Sequence, residues 1–400
     1  MKYLKYRIIV LSNGKTVVFH TEGGNLYHRL AEHSLIYSPC GGNSLCGQCK
    51  IKAELPAGKI ERQLLSESEL DENIRLACCH EIDKDILITI QNPPKKIKSI
   101  AGSALFIADI DPIVRKKSIS IDKNHSFPSD KAYLEHCLGA KIGNMLIRHI
   151  PSAIQAENID AVITYYGTVV SLYCENPLLM AVDIGTTTIA GELRDLEGNI
   201  IARYGMANSQ RKYGYDIISR MQYAVDGLEN LKKALTEDLN FLVLKLSRES
   251  KSAGRIVYIC ITANSAMTHI AYGIPTDRLA AFPYKNSISI LDTNAAEMGI
   301  DSLDKATPVH FVPLVDAYIG GDILSDLTAL SNEENFLLCD IGTNCEVALK
   351  RNGNIWATSA PSGPAFEGGN IECGMTAADG AIKKVLLSDS DDLKIETIGN

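Results

Sequence analysis

No stretch of this chain approaches the roughly 18 or more consecutive apolar residues of a membrane-spanning helix, so no membrane partner is expected. Excess positive charge is missing too: 40 Lys and Arg stand against 48 Asp and Glu, a net charge of −8. Beyond Lys95–Lys98 no basic block stands out. A nucleic acid held through counterion release needs the opposite balance, so none is expected as a partner. The N-terminal apolar run in MKYLKYRIIVL ends at Ser12–Lys15, too early for a secretory signal. Eleven cysteines in 400 residues, an odd number without a leader, also argue against a disulfide framework. These absences predict a cytoplasmic protein, long enough for two to four domains.

What the chain does have changes along its length. Residues 5–20 read as a β-hairpin, two β-branched runs around Ser12-Asn13-Gly14. A helix is expected over 25–33, then a loop with Pro39, Gly41, Gly42 and Gly47 among cysteines. A strand near 49–55, a small helix near 66–72 opened by Ser66 and a strand over 85–90 complete a β-grasp pattern, placing a first domain at 1–91. Residues 92–104, with a Pro pair and a basic run, read as a linker. A middle α/β domain is expected over 105–178, with strand-like pieces at 105–110 and 161–172 and a helical piece near 130–147.

From 179 to 400 one motif recurs. Val182-Asp183-Ile184-Gly185-Thr186-Thr187 is echoed 157 positions later by Cys339-Asp340-Ile341-Gly342-Thr343-Asn344. Each copy leads into an alternating strand and a turn, Glu197-Gly198-Asn199 and Arg351-Asn352-Gly353-Asn354, which implies a duplicated unit. Between the copies lie a helical pattern over about 214–249, a strand entering a helix at 256–272, and a strand leading to Gly320-Gly321 and another helix. Strands alternating with helices mark an α/β fold. Only 61 residues follow Cys339, so the second half is expected to be incomplete and the chain truncated.

Cysteine is concentrated as Cys40-x5-Cys46-x2-Cys49, with Cys78 after 28 more residues. Two irons need four converging thiolates, and a glycine-rich loop lets the backbone wrap close to them. The competing readings are a structural zinc site and buried thiols. Three cysteines within ten residues, after a hairpin and a helix, favour a 2Fe–2S cluster on Cys40, Cys46, Cys49 and Cys78. Cys79 is an alternative fourth ligand, but Arg75-Leu76-Ala77-Cys78 resembles the final-cysteine segment of ferredoxins, and the x5 gap resembles that of adrenodoxin-like ferredoxins. His80 is expected at the surface, and most of the scattered cysteines are expected to be small buried hydrophobes.

The repeated motif suits a phosphate, which needs backbone N–H donors on a tight turn and small hydroxyls beside it. Gly185-Thr186-Thr187-Thr188 supplies these once and Gly342-Thr343-Asn344 again. Asp183 and Asp340 would face each other across a cleft and hold Mg²⁺ through water. Asp322, after Gly320-Gly321, is a candidate for positioning water near a γ-phosphate, with capping of its helix as the compatible alternative. Asn264 ends a strand beside the same cleft, and the turn at 361–369 either closes over the nucleotide or joins two strands. The pair of loops resembles the phosphate motifs of the acetate and sugar kinase, Hsc70 and actin superfamily (ASKHA, RNase H-like).

Taken in order, CGGNSLCGQCK, RLACC, AVDIGTTTIAGEL, GYDIISRM, IPTDRLAAFPY, CDIGTNCEVAL and SGPAFEGGNIECGM resemble the ATP-dependent reductive activators of corrinoid proteins, the RACo-like family. The resemblance covers nearly the whole chain and implies a multidomain α+β and α/β protein. Its parts would be a ferredoxin domain, a small middle domain and an ASKHA domain. It also implies a one-electron reduction of Co(II) to Co(I) in a corrinoid protein, driven with ATP and fed by a low-potential electron donor. A homodimer is compatible with it. Two departures stand out: Ala263-Asn264-Ser265-Ala266-Met267 where the family reads Gly-Asn-Thr-Thr-Met, and Cys345 where glycine is common. Two other readings stay open: a redox-regulated ASKHA small-molecule kinase, and a non-catalytic ferredoxin-like carrier with a degenerate ATPase docking domain.

Overall fold

The computed structural model describes residues 6–33, 35, 36, 38, 41, 42, 44, 46–91, 110–250, 254–342, 344–361, 380–387 and 393–398. The expected linker at 92–104 and nearly all of the strand-like piece at 105–110 and of the turn at 361–369 lie outside them. Two compact units result, one gathering residues 1–98, 209–231 and 362–400 and the other 99–208 and 232–361. Among the described residues no helix is long and apolar enough to cross a membrane.

The first unit begins with the hairpin Tyr6–Ser12 and Lys15–Thr21, paired from Tyr6↔Thr21 to Ser12↔Lys15. Asn13 and Gly14 both take positive φ (47° and 71°), the two-residue turn whose twist matches that of the strands. Strand order in its sheet is Lys15–Thr21, Tyr6–Ser12, Ile86–Ile90, Lys50–Lys52, Ile74–Leu76, with Tyr6–Ser12 parallel to Ile86–Ile90. Helix Leu26–Glu32 is capped by Asn25 and buries Leu26, Tyr27, Leu30 and Ala31 with Ile8, Val10 and Ile88. Ser66 and Glu69 form a reciprocal capping box at Glu67–Asp71. The strand Ile74–Leu76 and the short helix Glu61–Leu64 have no clear sequence signal.

In the second unit a four-stranded sheet runs Val114–Ser120, Asn158–Thr164, Thr168–Ser171, Lys141–Ile142. The helical piece expected over 130–147 stops at Leu138, because Gly139 turns left-handed (φ 67°) and ends it. A 3₁₀ segment, Asn144–His149, and a short helix, Ile150–Gln155, follow.

The larger sheet has the order Ile200–Ala207, Thr188–Arg194, Pro177–Ile184, Arg255–Ala263, Pro308–Phe311, Leu291–Asn294. Its first three strands form an antiparallel meander, and Pro177–Ile184 then pairs in parallel with Arg255–Ala263. Helix Ile217–Glu249 breaks at Gly227 (φ −119°, ψ 18°). Its later part packs on this sheet: a Cβ on Gly191 would stand 3.0 Å from both Leu242 Cδ2 and Leu246 Cδ1. The second motif copy is again an antiparallel meander, Phe336–Ile341, Asn344–Arg351 and Asn354–Pro361. Of the five scattered cysteines described, Cys174 alone is buried, Cys137, Cys260 and Cys345 are half-buried and Cys339 is exposed, so the expectation of mostly buried thiols fails. The alternating burial of Phe336–Ile341 puts Cys339 on the open side of that strand.

Candidate cluster and nucleotide sites

Cys49 directly precedes the strand Lys50–Lys52, and Cys78 sits in the 3₁₀ turn Ala77–Cys79 after Ile74–Leu76. Lys50 pairs with Leu76, and Ala77 N donates to Cys49 O at 2.9 Å. This ladder sets the two sulfurs 3.2 Å apart, with both residues buried. Asn25 reaches the same place, its Nδ2 donating to Cys78 O at 2.9 Å while its Oδ1 accepts from Tyr27 N at 3.1 Å. Ser38 N donates to Tyr27 Oη at 3.1 Å. Gly42 (φ 91°) lies so near the same ring that a Cβ there would stand 2.4 Å from Tyr27 Cδ1, so only glycine fits.

The Cys78 thiol beside it, and then burial, push the Cys49 thiol well above the usual range. Cys46, half-buried, adds repulsion to Cys49, and Cys40 lies outside the described residues. Cys79 Sγ is 3.9 Å from Cys78 Sγ and 3.8 Å from Ser44 Oγ, and burial above all pushes its thiol up to about 11. Among the described residues no three Cys, His, Asp or Glu side chains stand close enough to hold one metal ion. The sulfurs nevertheless suit an iron–sulfur group. Soft thiol donors are pressed together in an apolar pocket, where two thiolates without a cation would repel.

His80 is not at the surface. It is 9% exposed, and its Nε2 donates to Glu61 Oε1 at 3.0 Å. Glu61, 0% exposed, also accepts from Gly58 N and Leu76 N, both at 2.7 Å. Sequence reasoning missed Glu61 because its three partners lie up to 19 residues away.

In the second unit the loop after Pro177–Ile184 is held from behind by the buried Asn208. Its Nδ2 donates to Gly185 O and its N to Thr187 O, each at 2.9 Å. A Cβ on Gly185 would lie 2.9 Å from Thr188 O. Asn264 caps Ser265–Tyr272 through Met267 N (2.9 Å), and its Nδ2 stands 3.4 Å from Thr186 Oγ1. Helix Gly321–Ala329 starts against this corner, where a Cβ on Gly320 would be 2.6 Å from Asn264 Cα. The N-cap is Gly320, so Asp322 does not fill that role. It lies in the first turn, with Oδ1 accepting from Ile323 N at 2.9 Å.

Asp183 is on the exposed side of its strand by surface area, yet it is pushed up to about 7, by desolvation first and then by Asp322, Asp340 and Asp326. Burial likewise raises Asp322 and Asp340, and it raises Asp326 to about 6. The structure therefore brings the three predicted aspartates into one field and adds Asp326, a helical i+4 neighbour of Asp322. Thr343 lies outside the described residues, and Asn344 begins its strand.

Glu346 is a second residue that sequence reasoning missed. In the first motif copy Ile184 pairs with Ile189 and Asp183 with Ala190. In the second, Ile341 pairs with Cys345, so Asp340 stands opposite Glu346. The turn is one residue shorter, and a one-residue slip exchanges faces. Buried Glu346 accepts from Ser359 Oγ at 2.9 Å and is pushed up to about 7, mainly by desolvation. The same alternation turns Cys345 to the opposite face of the strand from Glu346.

Fold and sites together define a ferredoxin-type iron–sulfur domain on one chain with an ASKHA domain. Three family models match in chain order. They are the 2Fe-2S iron-sulfur cluster binding domain (residues 10–83), the RACo middle region (178–334) and the C-terminal domain of RACo, the ASKHA domain (334–400). The chain belongs to the RACo-like family that these describe. It is 31% identical over 225 residues to the corrinoid activation enzyme RamQ of Eubacterium limosum, covering 53% of this chain and 37% of that protein. It is 26% identical over 215 residues to the [Co(II) methylated amine-specific corrinoid protein] reductase of Methanosarcina barkeri, covering 51% and 39%. The matched part is thus well under half the length of either relative. A solved reductive activator for a corrinoid, iron-sulfur protein superposes with a TM-score of 0.62 at 25% identity, covering 99% of this chain and 69% of that one.

Proposed function

We propose that this chain serves the ATP-dependent reductive activation of a corrinoid protein, a one-electron reduction of Co(II) to Co(I). The observation that carries the reading is the presence, in one chain, of the touching Cys49 and Cys78 sulfurs and of a phosphate-type loop occurring twice. The names of the two curated relatives, both of which act on corrinoid proteins, support the partner class.

Cys40, Cys46, Cys49 and Cys78 hold a 2Fe–2S cluster, which when bound supplies one electron at a time at low potential. The protein's part is to bury the Cys49 and Cys78 sulfurs and to fix the Cys78 segment through Asn25. In the second unit Gly185, Thr186, Thr187 and Thr188 take one end of the ATP phosphate chain, and Gly342, Thr343 and Asn344 the other. Asn264 Nδ2 donates to Thr186 Oγ1 of the first of these loops. Asp183 and Asp340 would hold Mg²⁺, which would supply charge neutralisation for the phosphates, and Asp322 would orient the attacking water. A metal bound there would offset the desolvation, and after it the repulsion from Asp322, Asp340 and Asp326, that raise Asp183.

The energetics require a nucleotide. Plant-type clusters lie near about −400 mV, and Co(II)/Co(I) couples are expected to be lower. Each ~100 mV of uphill gap costs about 2.3 kcal/mol per electron. ATP binding to a hinged cleft supplies work of that size by altering the partner's conformation. The upstream reductant is a low-potential electron donor.

ATP turnover, measured with and without a Co(II) corrinoid protein alongside the cobalt spectrum, tests this. Partner-stimulated hydrolysis with growth of the Co(I) band is expected. Turnover that needs only a small acceptor would instead mark a kinase, and failure of the intact protein to bind nucleotide would sink the proposal.

A further inference from the structure

Glu61 lies outside every motif that the proposed function uses, yet its carboxylate is fully buried (0% exposed). It accepts from Gly58 N (2.7 Å), Leu76 N (2.7 Å) and His80 Nε2 (3.0 Å). Leu76 and His80 stand two residues before and two residues after Cys78. One side chain therefore grips both ends of the segment that carries the last cysteine.

Its Oε2 accepts from Gly58 N and its Oε1 from Leu76 N and His80 Nε2. An amide, with one acceptor oxygen, could keep only one of these two sides, so a carboxylate adds a second acceptor and a charge. Among the described residues its one ion-pair partner is His80, with neither Lys nor Arg beside it. In a site shut off from water, a charge acts over several ångströms with little screening. Cluster potentials respond to local charge, to hydrogen bonds at sulfur and to exposure. An electron arriving near a buried carboxylate is disfavoured, which makes the reduced state a stronger donor.

We infer that Glu61 is a positioning and potential-setting residue, a buried carboxylate that clamps the Leu76–His80 segment and holds the reduction potential of the adjoining cluster low. The inference rests on the iron–sulfur reading above, and it adds a reason why this ferredoxin domain suits a strongly uphill acceptor.

The test compares full-length wild-type protein with Glu61→Gln, each reconstituted with iron and sulfide and titrated electrochemically under electron paramagnetic resonance. Glu61→Gln, with wild-type iron content and line shape, is expected to show a midpoint shifted to more positive potential. Glu61→Asp is expected to stay nearer to wild type. A Glu61→Gln midpoint equal to wild type would reduce Glu61 to a structural clamp and overturn the inference. Should Glu61→Gln fail to hold iron, His80→Leu is read instead. It leaves the carboxylate without its imidazole donor, so its midpoint is expected to fall, and an unchanged or higher value overturns the inference equally. Wild-type protein without acid-labile sulfide would refute the iron–sulfur reading itself, a result separate from either midpoint.

Discussion

Replacing Asn25 by alanine tests how the helix and the cysteine segment are joined. The side chain makes two bonds of different kind, accepting from Tyr27 N at the helix start and donating to Cys78 O. Loss of an N-cap costs about 1 kcal/mol, and leaving a part-buried carbonyl unpaired costs about 1–2 kcal/mol. The sum for Asn25→Ala is therefore about 2–3 kcal/mol. For a domain of this size each kcal/mol moves Tm by about 4–8 °C, so a fall of about 8–24 °C is expected by circular dichroism. Asn25→Asp separates the two parts. Its carboxylate still caps the helix but cannot donate to Cys78 O, and it faces Glu81 Oε1, which Asn25 Nδ2 now approaches at 3.3 Å. It should lose the second part alone and still release visible iron–sulfur absorbance faster than wild type. If Asn25→Ala melts within 2 °C of wild type, or if Asn25→Asp keeps its chromophore as long as wild type, the bond to Cys78 O has no structural weight.

Three other outcomes follow from the second unit. Gly320→Ala would drive a Cβ to 2.6 Å from Asn264 Cα, an overpacking of about 1–3 kcal/mol, and calorimetry should show ATP affinity weakened about tenfold or more. His269 is buried, holding Ser265 O through Nδ1 (2.7 Å) and Ser287 N through Nε2 (2.9 Å), and desolvation lowers its pKa below 6.5. Because the unfolded chain then takes up the proton first, this stability is present above pH 6.5 and lost as pH falls below it, and urea midpoints of His269→Gln should lose that slope. Glu346, raised to about 7 from 4.5, works in the opposite sense. Its protonated form is favoured by folding below about pH 4.5, and the gain is lost as pH rises through about 7, so Glu346→Gln should be more stable than wild type by about 1–3 kcal/mol at pH 8.

Much of the fold was legible because it is written in local contacts. The Asn13-Gly14 turn, the Ser66 to Glu69 capping box and the twin Asp-Ile-Gly-Thr hairpins each involve neighbours a few residues apart. Sequence reasoning read these from residue type and spacing alone. It failed where an element depends on a distant partner. Ile74–Leu76 is a strand because Lys50–Lys52 lies beside it, and His80 is buried because Glu61 waits there. The helix near 130 ends early through Gly139, a local signal that the reading passed over.

The sequence by itself located the Asn13-Gly14 turn, the Ser66 cap and the two Asp-Ile-Gly hairpins, since short-range backbone preference and motif spacing survive without tertiary context. Only the folded structure decided which groups surround them. Asn208 behind Gly185, Asn25 on Cys78 and Glu346 opposite Asp340 all join segments far apart in the chain or depend on strand register. A one-residue change in turn length sends a side chain to the other face of a sheet. That choice is settled by packing, which no single stretch of sequence contains.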